Sequence, residues 1–156
     1  MSLIFSALPT EAVARLRAGG PDANGQPAEL HTSRGPRNPC RHCLREIPDG
    51  APMLVLAWRP FPAPQPYAEV GPIFLCADDC ARHPDSPALP ELFRRTPRYL
   101  MRGYGVDDRI VYGTGAVIES GRLEDACRET FRDPAVAYIH LRSATNNCYQ
   151  ARVDRA

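Results

Sequence analysis

Four cysteines in two close pairs carry the most specific chemistry in the chain: Cys40-Arg41-His42-Cys43 and, much later, Cys76-Ala77-Asp78-Asp79-Cys80. A two-residue gap lets a tight turn aim both thiolates at one point. Tetrahedral zinc needs a second such pair, which the three-residue gap would supply from the start of a helical turn. The expected ligands are therefore Cys40, Cys43, Cys76 and Cys80, and zinc is the expected cofactor. Four sulfurs leave no open position, so such a zinc would be structural and not catalytic. His42 and His83 lie beside the pairs and are alternative ligands. Two other readings stay open: buried free thiols, since unpaired cysteine is among the most buried residue types, and a redox-active pair. The redox reading is the weaker of these, because Cys40 follows a loop and precedes a turn, whereas a low-pKa C-x2-C opens a helix after a strand.

A second signal lies in the last twenty or so residues. With a strand period of two, Ala137, Ile139 and Leu141 share one face, and Tyr138, His140 and Arg142 the other. On the following strand Tyr149, Ala151 and Val153 oppose Cys148, Gln150 and Arg152. Matching the apolar faces predicts the pairs Leu141–Tyr149, Ile139–Ala151 and Ala137–Val153, which places Arg142 beside Cys148 and His140 beside Gln150. That polar strip suits anion binding, or nucleophilic chemistry by Cys148 with His140 as base. The candidate catalytic residues are His140 and Cys148, and the candidate ligand-binding residues are Arg142, Gln150 and Glu69, with Arg98 and Tyr104 from neighbouring segments. An ordinary solvent-facing sheet surface accounts for the same residues. Cys127, beside Ala126 on a predicted helix, reads as core.

Composition removes several classes of function. All nineteen basic residues are arginines, so lysine Schiff-base chemistry and a P-loop lysine are excluded. The net charge of +1 leaves no electrostatic footprint for nucleic acid or an anionic membrane. Gly103-Tyr104-Gly105 and Gly113-Thr114-Gly115 do not complete a dinucleotide-binding glycine pattern. Asp78-Asp79 and Asp107-Asp108 read as turn residues, and Glu124-Asp125 as first-turn charges that favour a helix dipole. No apolar stretch approaches the roughly 20 residues that span a bilayer, and the residues before Pro9 lack the basic start of a signal peptide. A cytoplasmic location is the resulting expectation, and it favours metal ligation over disulfides.

The elements that must position these residues are short. Pro9–Arg17 predicts a helix with Ala12, Val13 and Leu16 on its apolar face, and Gly19–Pro39 reads as loop. Ala51–Arg59 and Gly71–Cys76 predict strands, joined through a stiff connection with four prolines between Pro60 and Pro66. Pro90–Arg95 predicts a short helix, Tyr99–Tyr104 and Arg109–Ile118 strands, and Arg122–Phe131 a helix stopped at Asp133-Pro134. Val136–Arg142 and Cys148–Asp154 close the chain as a hairpin turned by Asn146-Asn147. With 44% hydrophobic residues in 156, the chain suits one α+β domain. Its core would be a mostly antiparallel sheet with a few short helices.

Two resemblances add to this. Pro39–His83, with its knuckle, hairpin and the run Ile73-Phe74-Leu75-Cys76-Ala77-Asp78-Asp79-Cys80, resembles a treble-clef zinc finger of the TRASH and FCS types. It departs from them in the 32 residues between Cys43 and Cys76, more than those compact fingers hold. The whole chain resembles a bacterial family known only as domain of unknown function 1203. That resemblance is carried by Pro39-Cys40-Arg41-His42-Cys43-Leu44, Pro66–Phe74, Val111-Tyr112-Gly113-Thr114-Gly115, Ile139-His140-Leu141-Arg142-Ser143 and Asn147-Cys148. It implies one domain spanning 1–156 and offers no catalytic residues. The expected function is a zinc-stabilised binding or interaction module for a protein or small-molecule partner. The alternative is a small enzyme or ligand-binding protein using the polar face of the terminal hairpin.

Overall fold

The structure, a computed structural model, describes all 156 residues. It contains twelve elements: β1 (Leu3–Ser6), α1 (Thr10–Arg17), β2 (Glu29–Thr32), β3 (Pro52–Trp58), β4 (Gly71–Cys76), α2 (Leu92–Arg95), β5 (Arg98–Tyr104), β6 (Ala116–Glu119), a 3₁₀ turn (Ser120–Arg122), α3 (Leu123–Thr130), β7 (Tyr138–Ser143) and β8 (Tyr149–Arg155). Five strands form one antiparallel sheet in the order β1-β8-β7-β5-β6, and β2-β3-β4 form a second. The α+β expectation, mostly sheet with three helices, is what the chain adopts.

Alternation explains the larger sheet. Leu3 and Phe5 of β1, Tyr99 and Met101 of β5, Ile139 and Leu141 of β7, and Ala151 and Val153 of β8 all point into one core. Leu123, Cys127 and Phe131 of α3 and its C-terminus cover them, about one helical turn apart on one face. A second core sits under the smaller sheet, where Val13 and Leu16 of α1 meet Leu54, Leu56, Ile73, Leu75 and the cysteines Cys40 and Cys43.

Three differences from the expected elements have physical causes. Leu3–Ser6 is a strand, because β8 offers its free edge: Phe5 pairs with Val153 and Leu3 with Arg155. Glu29–Thr32, expected as loop, is an exposed edge strand on β3. The expected strand Arg109–Ile118 shrinks to β6. Gly113 takes a φ of 92°, and the Thr114 hydroxyl accepts from the Gly103 amide at 2.9 Å and donates to the Val111 carbonyl at 2.6 Å. Thr114 lies so close that a Cβ on Gly103 would meet its Oγ1 at 3.0 Å.

The register of the terminal hairpin also differs. Ile139 pairs with Val153, Leu141 with Ala151 and His140 with Arg152, two residues on from the predicted pairs. A two-residue slip leaves the faces intact, which is why the apolar matching still placed Ile139 and Leu141 in the core. A bulge between Leu141 and Arg142 then brings Arg142 opposite Tyr149, so Gln150 is the extra residue and Tyr149 leaves the Leu141 face. Asn147 takes φ 59° in the turn, the left-handed role expected of it.

The N-terminal strand is the element whose contribution a single substitution tests. Phe5 is fully buried, so Phe5→Ala should lower unfolding free energy by about 3–5 kcal/mol, the usual cost of such a core truncation. Val117→Ala, at an exposed position, should change it by less than about 0.5 kcal/mol. Urea denaturation of both variants checks this, and an unaffected Phe5→Ala would mean that β1 does not hold the edge of the sheet.

Candidate metal centre

The C-x2-C segment is a knuckle built by backbone bonds. The Leu44 amide donates to the Cys40 carbonyl at 3.0 Å and the Cys40 amide to the Arg45 carbonyl at 2.9 Å. Leu44 closes the turn with φ 50°. Cys40 bridges to Phe74 of β4, and the Arg41 amide donates to the Phe74 carbonyl at 3.1 Å. The knuckle is thereby laid along the strand that ends in Cys76. Cys80 follows in an extended loop, tied back where the His83 amide donates to the His42 carbonyl at 2.8 Å.

These constraints bring Cys40, Cys43, Cys76 and Cys80 together, with all four sulfurs within 4.8 Å of one another. Cys40 to Cys80 and Cys43 to Cys76 are each 4.0 Å. Sulfurs at about 2.3 Å from a tetrahedral metal stand just under 4 Å apart, so the set matches a four-thiolate site. All four are free thiols. One expected detail fails: no helix opens at the second pair, and Cys76–Cys80 leaves β4 as a bend.

Neighbouring groups meet the sulfurs as they meet ligands in metal sites. The Cys76 amide points at Cys40 Sγ at 3.3 Å. Arg17 of α1 donates to Cys80 Sγ at 3.1 Å and to the Cys76 carbonyl at 3.0 Å. His42 Nδ1 lies 3.2 Å from Cys80 Sγ, while its Nε2 meets the Thr10 hydroxyl at 3.0 Å. His42 is thus placed to support a ligand, and His83, bonded to the Pro84 carbonyl, stands outside the set. The thiols act on each other: hydrogen bonds from Cys43 and Cys76 pull Cys40 far down, and the bond to Cys40 pushes Cys43 up to about 12. A divalent cation entering such a cluster displaces those shared protons. Cys127 is core, its thiol pushed up to about 12 by burial.

The hairpin residues divide between cavities: Glu69, Arg142 and Cys148 line one cleft, and His140 lines another. His140 is 1% exposed, and its ring packs against those of Phe61, Tyr104, Tyr138 and Tyr149 at centroid distances of 4.7–5.2 Å. It lines a cavity of about 710 Å³ between the larger sheet and the cysteine-bearing unit. Cys148 lines two other clefts instead, so the structure does not assemble a Cys148–His140 pair. The reason is the bulge, which puts Tyr149 against the imidazole. Glu69 bridges Arg142 at 3.1 Å and Arg102 at 2.7 Å. Tyr104 stands against His140, whereas Arg98 and Gln150 line the third cleft. Arg17, Thr10, Phe61 and Arg82 were missed, since no spacing links them to the cysteines or to His140.

A family model described as a protein of unknown function, DUF1203, matches residues 37–155, and the chain belongs to that family. No curated protein and no solved structure matches the chain.

Burial holds the His140 imidazole well below its ordinary pKa, with the charges of Arg142, Arg152 and Arg102 adding to the effect. The unfolded chain, titrating near 6.5, therefore binds a proton that the folded one refuses. The effect on stability is nil above about pH 6.5 and grows as pH falls toward the folded value, at up to about 1.4 kcal/mol per pH unit. Urea midpoints taken between about pH 7.5 and pH 5.5 should fall more steeply for the wild-type chain than for His140→Gln. Parallel slopes would show that His140 is not held neutral by burial.

Proposed function

We propose that this protein is a small binding module whose fold is held by a structural zinc on Cys40, Cys43, Cys76 and Cys80. The convergence of the four sulfurs carries the reading. Four thiolates in a tetrahedral set select zinc or iron over harder cations. Zinc has the better claim in a reducing cytoplasm, where the thiols stay free and no redox partner for an iron centre is implied. The metal would have no open coordination position, so it supplies folding free energy and no chemistry on a substrate. The knuckle and the β3–β4 hairpin follow a treble clef as far as Cys76, and the extended Cys80 segment stands where that finger has its helix. We read both sheets as one domain, since the loop after Cys80 and α1 serve the metal cluster and the larger sheet together. Binding is favoured over catalysis because His140 and Cys148 line different cavities.

Elemental analysis of the purified protein should return about one zinc per chain. Cys43→Ser and Cys76→Ser should each lower the melting temperature by on the order of 10 °C, and a strong chelator should do the same to the wild-type chain. A red protein with iron would replace zinc while keeping the site. Metal-free protein whose melting is indifferent to chelator and to both substitutions would leave buried thiols as the reading.

A further inference from the structure

A cavity lies at the junction of the two sheets, walled by His140, Tyr149, Arg152 and Asp154 on one side. The end of β3 with its proline connection, α1, and Arg82 after Cys80 form the other side. At about 710 Å³ it falls in the range of small-molecule sites, and such sites favour junctions of this kind. None of the four clustered cysteines lines it.

Of the four arginines that line it, Arg15 is taken by Glu11 at 3.0 Å and Arg82 by Asp85 at 2.8 Å. Arg59 and Arg152 stand beside two aspartates, Asp22 and Asp154. Both carboxylates are already engaged. Asp154 takes Arg152 through Nε and Nη2 at 2.7–2.9 Å, and Asp22 accepts the amides of Asn24, Gln26 and Ala57 at 2.9–3.1 Å. Arg59, in contrast, spends only its Nε, on the Phe61 carbonyl at 3.3 Å. Its terminal amino groups are left to meet something else, and a guanidinium fork fits a carboxylate or phosphate best.

Two unmet polar atoms belong to the same walls. Nδ1 of His140 and Nε1 of Trp58 are buried without a hydrogen-bond partner, and both residues line the cavity. Buried polar groups lacking partners are rare in folded proteins and call for an explanation. Trp58, Phe61 and Tyr149 add flat apolar surface to the lining.

We infer that this cavity binds a small organic anion, a carboxylate or phosphate on an aromatic or similarly planar body, with Arg59 as its principal anion contact. The inference rests on the binding-module reading and names that module's ligand class. It does not depend on which metal the cysteines hold.

Calorimetric titration of the full metal-loaded chain tests it with phenyl phosphate and benzoate, alongside inorganic phosphate and benzyl alcohol. One of the two aromatic anions should bind saturably at one per chain, and which one does so tells phosphate from carboxylate. Inorganic phosphate and benzyl alcohol should each bind at least roughly tenfold more weakly. Arg59→Gln should weaken the aromatic anion by roughly tenfold or more, whereas Arg128→Gln, on the exposed face of α3, should leave it unchanged. Should Arg59→Gln fail to fold, the His140 ring resonances of the wild-type chain must shift with the same titration. Absence of saturable binding by either aromatic anion overturns the proposal, as does equal binding of benzyl alcohol or of inorganic phosphate, unchanged affinity in a folded Arg59→Gln, or a still His140 signal. Metal content measured on the same sample separates the two readings: a zinc-replete chain that ignores these anions refutes the ligand alone, and a zinc-free chain that binds them refutes the metal alone.

Discussion

A buried guanidinium joins the two halves of this molecule. Arg41, the residue after the first cysteine of the cluster, is 2% exposed. A charge taken that far from water must be met on every side, or the burial would cost several kcal/mol. Its Nε donates to the Tyr149 carbonyl at 2.7 Å and Nη1 to the Pro39 carbonyl at 2.6 Å. The guanidinium also stands over the Phe74 ring, 5.7 Å from its centre. Its own backbone bonds Phe74 of β4 and the Leu8 amide ahead of α1. Burial draws the Arg41 pKa down to about 10, still charged at neutral pH. The cysteine knuckle, β4, the β1–α1 link and β8 thus share one set of contacts. The metal cluster and the larger sheet are placed relative to each other by this residue as much as by apolar packing.

From that junction the distinct roles of the two halves follow. The cysteine unit is closed: four sulfurs face each other, and Arg17 and His42 address the outermost of them. The cavity beside it is partly aromatic, carries the free end of Arg59, and borrows walls from both halves. The stretch before residue 37, outside the family match, supplies part of each: Thr10 and Arg17 support the cluster, and Ser6–Pro9 line the cavity. A cavity assembled from such distant segments depends on both sheets holding their relative position, and a metal held by the four cysteines beside the junction would serve that end.

The β-bulge after Leu141 decides the character of the hairpin. Without it, Tyr149 would share the Leu141 face and leave the His140 side. With it, the tyrosine swings against the imidazole, and the carbonyl of Tyr149 turns to Arg41. The same local irregularity therefore adds Tyr149 to the rings of Phe61, Tyr104 and Tyr138 around His140 and anchors the cysteine knuckle to the larger sheet.

How much of this is written in local sequence varies by element. The cysteine set was legible because metal geometry is a local rule applied twice, at Cys40–Cys43 and at Cys76–Cys80. The strands at 52–58, 71–76, 98–104 and 138–143 were legible because apolar runs and alternation survive any tertiary context. The core faces of Ile139 and Leu141 followed from the same period. Other features carry no such signature. Leu3–Ser6 is a strand only because β8 leaves an edge free, and Glu29–Thr32 only because β3 does. The hairpin register turned on a bulge, which a period of two does not reveal. The meeting of Phe61 with His140, or of Arg17 with Cys80, joins residues more than sixty positions apart. Sequence alone thus determined which residues want a metal and which want the core, since both demands are met within a few residues. The folded chain decided where the arginines and the imidazole converge, because a cavity belongs to the packing of two sheets and to neither one's sequence.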